Sequence, residues 1–155
     1  MGERSPINDT NARSVFMGMS MDSTREDMIQ AVLEGVAFAL RDSLEVAKSL
    51  GIDIKRSKLC GGGAKSPLWR SILANVLNVT IDLPQTEEGP GYGGAMLAMV
   101  ACGEYPDVKT IADRFVKVTD VIKPEPELTA LYEERYQRFR QIYPSVKSLF
   151  PSLID

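Results

Sequence analysis

The sequence predicts an α/β fold built in layers, and three observations carry that expectation. Short strand-like runs alternate with longer segments whose apolar residues recur at helical spacing. Glycines punctuate the ends of these runs, at Gly51, at Gly61, Gly62 and Gly63, and at Gly103. Helix-start signals stand where the periodicity begins, most plainly Ser66 followed by Pro67. The resulting order of strand, helix, strand, helix, strand, helix is that of helices layered on a sheet. At 155 residues the chain reads as one domain, long enough to bury a core without staples.

Taken in order, the first eleven residues are polar and turn-rich, and they read as the inside of a longer protein. Arg13 to Met19 is an apolar run that predicts a strand leading to Gly18. Ser23 and Glu26 stand in capping-box spacing and announce a helix that runs to Leu50, with Gly51 as its stop. At 100° per residue, Met28, Ile29, Val32, Leu33, Val36, Leu40 and Ala47 gather on one face and predict its buried side. Glu34 falls on the opposite, charged stripe and is expected in water. Phe38 lies near that stripe too, and hints at a second packing surface.

Lys58 to Cys60 predicts a strand that empties into the three glycines. Ser66 and Pro67 then open a helix whose periodic residues are Leu68, Trp69, Ile72, Leu73, Val76 and Leu77, with Trp69 as a core anchor. Val79 to Leu83 is the next strand, ended by Pro84 and the loop QTEEG. A helix from Pro90 to Cys102 follows, with Gly103 as its stop. Its Gly91, Gly93, Gly94, Ala95 and Ala98 call for a close approach, either of the sheet or of a ligand. Ile111 to Phe115 predicts a helical turn or more, Thr119 to Lys123 an extended piece, and KPEPE a stiff connector. The last helix is expected from Leu128 to Tyr143, stopped by Pro144, with Leu131, Tyr132, Tyr136, Phe139 and Tyr143 as its apolar side.

Composition narrows the chemistry. With 18 basic and 21 acidic side chains the net charge is -3, and hydrophobic residues make up 44%. That balance is globular, and scattered cations on an acidic chain argue against nucleic acid as a partner. Histidine is absent, which removes Ser-His-Asp and Cys-His catalysis and His-ligated zinc. Cys60 and Cys102 are too few for a disulfide scaffold, and they are expected as reduced core thiols. No apolar run approaches the ~20 residues of a membrane span, and no signal-peptide core is present. The expected location is the cytoplasm, without membrane association.

The stretch KLCGGGAKSPLW carries the most information, because glycines between a strand and a helix let a backbone approach a nucleotide. A phosphate loop of the G-x-x-x-x-G-K-S kind would need glycines at Leu59 and Ala64, so AKS is a false echo of it. A dinucleotide fingerprint fits in part. Gly61 and Gly63 fill its first two glycines, Ser66 replaces the third, and Asp82 stands where a ribose-binding acid would. Asp82 has an equal claim to being a strand-end residue facing water.

GGGAKSPLWRSILANVLN resembles the adenosine motif of the FGGY carbohydrate kinases, which are actin-like ATPases. GERSP, NARSVFMGMS, AVLEGVAFALRDSLE, EEGPGYGGAMLA and LYEERYQRFRQIYPSVK agree with the same family in order, and the likeness extends to its xylulokinases. The resemblance implies the C-terminal part of a ribonuclease-H-like domain, with helices around a small mixed sheet, occupying residues 1–155. It implies transfer of the ATP γ-phosphoryl group to a sugar hydroxyl, with a ketopentose such as D-xylulose as substrate. It also implies ATP with Mg as cofactor, with Gly62, Gly63 and Ala64 against adenine and ribose and Gly61 supporting the turn. Some relatives carry Asn where Pro67 stands, which takes away a side-chain hydrogen bond to adenine there.

The family's general-base Asp, its phosphate loop and most of its sugar pocket belong to a first domain whose motifs are not found in this chain. No catalytic and no metal-ligating residue is therefore assigned here. The chain alone is expected to be inactive, and the sugar to bind only with that first domain present. Of three expected antiparallel opening strands, only Arg13 to Met19 would be retained. The sheet would then carry an unpaired edge, which invites a homodimer through that edge or through the surface around Phe38. The competing readings are an NAD-binding oxidoreductase domain, resting on Gly61, Gly63 and Asp82, and an assembly module without catalysis.

Overall fold

A computed structural model describes residues 2–86 and 89–153. Among these, three strands form one small mixed sheet in the order β1 (Arg56–Lys58), β2 (Thr80–Pro84), β3 (Val118–Ile122). β1 runs parallel to β2, with Lys58 opposite Asp82, and β3 runs antiparallel to β2, with Val121 opposite Asp82. The α/β expectation holds. Each strand sits one or two residues from where the sequence suggests, although Leu59 still donates its N–H to the Asp82 carbonyl at 2.9 Å. Arg13 to Met19, expected as a strand, joins no ladder, and Val15, Phe16, Met17 and Met19 are exposed.

Helix α1 (Arg25–Ser49) starts one residue later than expected. Thr24 is its N-cap and exchanges both capping-box bonds with Asp27, whereas Ser23 accepts from the Ser20 amide. At its other end Gly51 takes a left-handed φ of 82°, so that the Gly51 and Ile52 amides close onto Lys48 and Ala47.

The buried face of α1 reverses the expectation. Ala37, Phe38, Glu34 and Arg41 are buried, while Ile29, Val32, Val36 and Leu40 are about half exposed. The helix is apolar on two sides, and the side bearing Phe38 meets helices α2 (Pro67–Leu77) and α5 (Pro126–Val146). Phe38 packs against Tyr132, Tyr136 and Phe139 with ring centroids 5.3–6.1 Å apart. Glu34 is held by partners: Arg135 donates to both its oxygens at 2.8 and 3.0 Å, and Tyr132 and Gln30 donate to one of them. A buried carboxylate is tolerated when paired and hydrogen-bonded in this way.

Helix α2 is the centre of the fold. Ser66 caps it by accepting from the Trp69 amide, Pro67 fills its first position as expected, and Ile72 to Val76 are all buried. Buried Asn75 accepts from the Glu125 amide at 2.7 Å and so pins the KPEPE connector. Helix α3 (Gly89–Ala101) buries no residue, and helix α4 (Val108–Phe115) packs beside it. Asp107 caps α4 through the Thr110 amide, a start signal the sequence carried unread.

α5 does not stop at Pro144 but passes through it to Val146. The chain is held on both sides of that proline. Tyr143 donates to Asp9 at 2.8 Å, and buried Phe150, in the following 3-10 helix, stacks back on Tyr143. Cys60 and Cys102 are free and exposed, so neither is the core thiol expected. Among the described residues, no helix is long and apolar enough to cross a membrane.

Candidate functional site

Parallel β1 and β2 end side by side, and at their carboxyl ends lies a cavity of about 420 Å³. This is where open α/β sheets take ligands, and the volume suits a small molecule. One wall comes from the glycine segment, with Gly61, Ala64 and Lys65, and from Arg70 of α2. The facing wall comes from Thr86 beyond β2 and from Thr119 and Asp120 of β3. Of the residues singled out in the sequence, Gly61 and Ala64 line this cavity. Gly62 and Gly63 stand next to it on the same turn, both exposed.

The turn itself is a 3-10 helix, Gly62–Lys65, with Gly61 as its cap. Gly61 has φ 92°, a conformation closed to most side chains, and its carbonyl accepts from the Ala64 amide at 3.0 Å. Gly63 needs its missing side chain for another reason. A Cβ there would lie 3.0 Å from Cδ1 and Nε1 of the Trp69 indole. Trp69 is partly buried against the α1–α2–α5 core, which is the anchoring role expected of it, and it also backs the turn. Gly62 alone has neither constraint, since a Cβ there would meet nothing within 4 Å.

Asp82 does not stand where a ribose-binding acid would. It lies within β2 on the side away from α2, 5% exposed, and accepts from Arg56 Nε at 2.7 Å. That hydrogen bond is the main cause holding its carboxyl below the usual range. It is outside the cavity wall and faces neither water nor ligand, so the dinucleotide reading loses its acid.

The small residues of α3 also differ from expectation. A Cβ on Gly91, Gly93 or Gly94 would touch nothing within 4 Å, so no close packing among the described residues explains them. Gly89 does have such a reason, because a Cβ there would lie 2.8 Å from the Cys60 sulfur. α3 therefore begins against the glycine segment. Part of the loop QTEEG, residues 87 and 88, lies outside the described residues.

Arg70, Thr86, Thr119 and Asp120 were not singled out in the sequence. Only Arg70 carried a signal there: a side chain in the first turn of a helix leans back over the residues before it. Among the described residues, no group of three or more His, Cys, Asp or Glu side chains could hold a metal ion. Among the described residues, the cavity wall by itself offers no cage for Mg.

The sequence profile described as "FGGY family of carbohydrate kinases, C-terminal domain" matches residues 1–102. The xylulose kinase of Staphylococcus epidermidis is 35% identical over 153 residues, covering 99% of this chain and 31% of that protein. The solved xylulose kinase of Brucella ovis is 38% identical with a TM-score of 0.83, covering 93% of this chain and 30% of its own. The gluconate kinase of Lactobacillus acidophilus is 26% identical with a TM-score of 0.88, covering 97% and 30%. The chain thus spans about a third of the length of the curated relatives it matches.

Proposed function

Because this chain belongs to the FGGY family of carbohydrate kinases, as its C-terminal domain, we propose that it carries the nucleotide in a sugar kinase. The adenosine of ATP or ADP lies along Gly61, Gly62, Gly63 and Ala64, at the mouth of the cavity beyond β1 and β2. One observation carries this reading. The turn opens at the carboxyl ends of two parallel strands, and it includes a glycine, Gly62, that the fold itself does not require. A bare backbone at that point leaves room for a ring or ribose to approach.

The sugar is D-xylulose in this reading. Xylulose kinases of Staphylococcus epidermidis and Escherichia coli resemble the chain along 99% and 96% of its length, and this supports the assignment. The ATP γ-phosphoryl group goes to a sugar hydroxyl, in an enzyme of the cytoplasm. When bound, Mg would supply charge neutralisation on the phosphates. This chain's part is to bind and orient the nucleotide. Phosphoryl transfer depends on positioning two substrates together, so the 155 residues alone, without the parts that hold sugar and phosphates, turn over no substrate. Arg13 to Met19 forms no edge strand and Phe38 is buried, so neither expected association surface stands, and self-association is proposed instead through the β1 edge or the outer face of α1. Both surfaces are exposed, and sedimentation that finds only monomer at high concentration refutes it.

Titration of ADP and, separately, NAD into the chain, followed by backbone amide shifts, tests the nucleotide site at millimolar affinity, about 4 kcal/mol. The expected result is ADP shifts centred on Gly62 to Ala64, lost in Gly62→Val without loss of fold. Shifts with NAD alone overturn the proposal in favour of a dinucleotide-binding domain, and shifts with neither overturn it in favour of a module that binds no nucleotide.

A further inference from the structure

The glycine turn is held by two consecutive residues of α2. The Trp69 indole lies against Gly63, and Arg70 donates from Nε to the Ala64 carbonyl. Both sit in the first turn of the most deeply buried helix, whose next residues, Ile72 to Val76, form the core. The Arg70 amide is itself tied to the Ser66 carbonyl at 3.1 Å, so the side chain springs from a fixed point. Arg70 is also partly buried and faces the cavity. Its guanidinium therefore touches, at once, the turn and the space in front of it.

We infer that Arg70 is the positioning residue of the nucleotide turn: through the Ala64 carbonyl it fixes the course of residues 61–65, and nucleotide affinity depends on it. The inference rests on the nucleotide reading above. The chemistry explains why this residue is arginine. The Nε–H of a guanidinium is directional and sits three carbons from Cα, at the reach that meets Ala64. A lysine ammonium lies farther out, is strongly hydrated, and carries no N–H at that point. A carbonyl left without this donor frees a one-turn 3-10 helix that has few other bonds of its own.

The test compares the chain with Arg70→Lys, which keeps the charge and the apolar stem, and Arg70→Met, which keeps the stem but neither the charge nor any N–H. Three quantities are read: amide shifts of Gly61 to Lys65 without ligand, dissociation constants for ADP and for adenosine, and the urea midpoint. Both variants are expected to shift the ligand-free turn amides and to weaken ADP and adenosine by the same factor, roughly tenfold. The urea midpoint should stay near that of the parent chain, which a merely structural role would not allow. Arg70→Lys carries the test if Arg70→Met does not fold.

Unchanged turn amides and unchanged affinity overturn the inference. Loss of ADP affinity alone, with adenosine unaffected, also overturns it, since Arg70 would then be a phosphate contact. If the parent chain binds neither ligand, the nucleotide reading falls. The ligand-free amides then decide separately whether Arg70 holds the turn.

Discussion

Helices α2 and α3 each follow one strand of the parallel pair, and they fare in opposite ways. α2 buries Ile72, Leu73, Ala74, Asn75 and Val76, whereas α3, built almost wholly of small and apolar residues, buries none. α2 is enclosed by α1, α5 and the sheet, while α3 has α4 for its neighbour. Apolar sequence thus states what a helix is able to bury, and neighbours decide what it does bury. The outer face of α1 repeats the lesson, with Ile29 and Val32 about half exposed opposite the buried Phe38. Exposed apolar surface on this scale marks a place of contact. In the proposed kinase, the remainder of the enzyme is the natural cover.

Four changes sharpen or break this contrast. Phe38→Ala or Ile72→Ala, on the enclosed side, should cost about 3–5 and 2–5 kcal/mol in urea unfolding. A loss under about 1 kcal/mol would mean that the α1–α2–α5 core is not where the stability lies. Gly63→Ala should cost about 1–3 kcal/mol, because the new methyl meets an indole packed on that core. Gly62→Ala should leave stability unchanged, and equal effects at the two sites would break the distinction drawn between them.

A smaller effect is read by pH. Arg56 depresses the Asp82 carboxyl in the fold, so the stability it lends is present above the unfolded value, near 3.9. That stability is lost as pH falls through the folded value below it. Asp82→Asn should flatten the decline in unfolding midpoint between about pH 5 and pH 2, and an unaltered slope would remove Asp82 from the account. Smallest of all, Leu97→Ser on exposed α3 should change stability by no more than about 0.5 kcal/mol. A loss comparable to that of Ile72→Ala would show α3 to be packed after all.

The parts of the fold legible in the sequence are those fixed by neighbours in the chain. Ser66 and Pro67 set the start of α2, and Gly51 the end of α1, through contacts within a few residues. The buried face of α1 was not legible, because the helix is apolar on two sides and its partners, Tyr132 and Tyr136, lie almost a hundred residues away. Pro144 misled for a similar reason. The contacts that carry α5 through it come from Asp9 and Phe150. At the site, the glycines announced the turn, since their constraints are local. The facing wall, Thr119 and Asp120, becomes a wall only because β3 pairs with β2.

The ties between α1 and α5 also bear on how the chain is made. Tyr132 reaches back to Glu34 across 98 residues, and Tyr136 to Asp42 across 94. During synthesis at about 5–20 residues per second, that interval lasts roughly 5–20 s. Through it, Phe38 and the Glu34 carboxylate emerge from the ribosome before the helix that will enclose them exists. The nascent chain must hold the face of α1 that bears Phe38 and Glu34 open to water, and to other proteins, until α5 has been made.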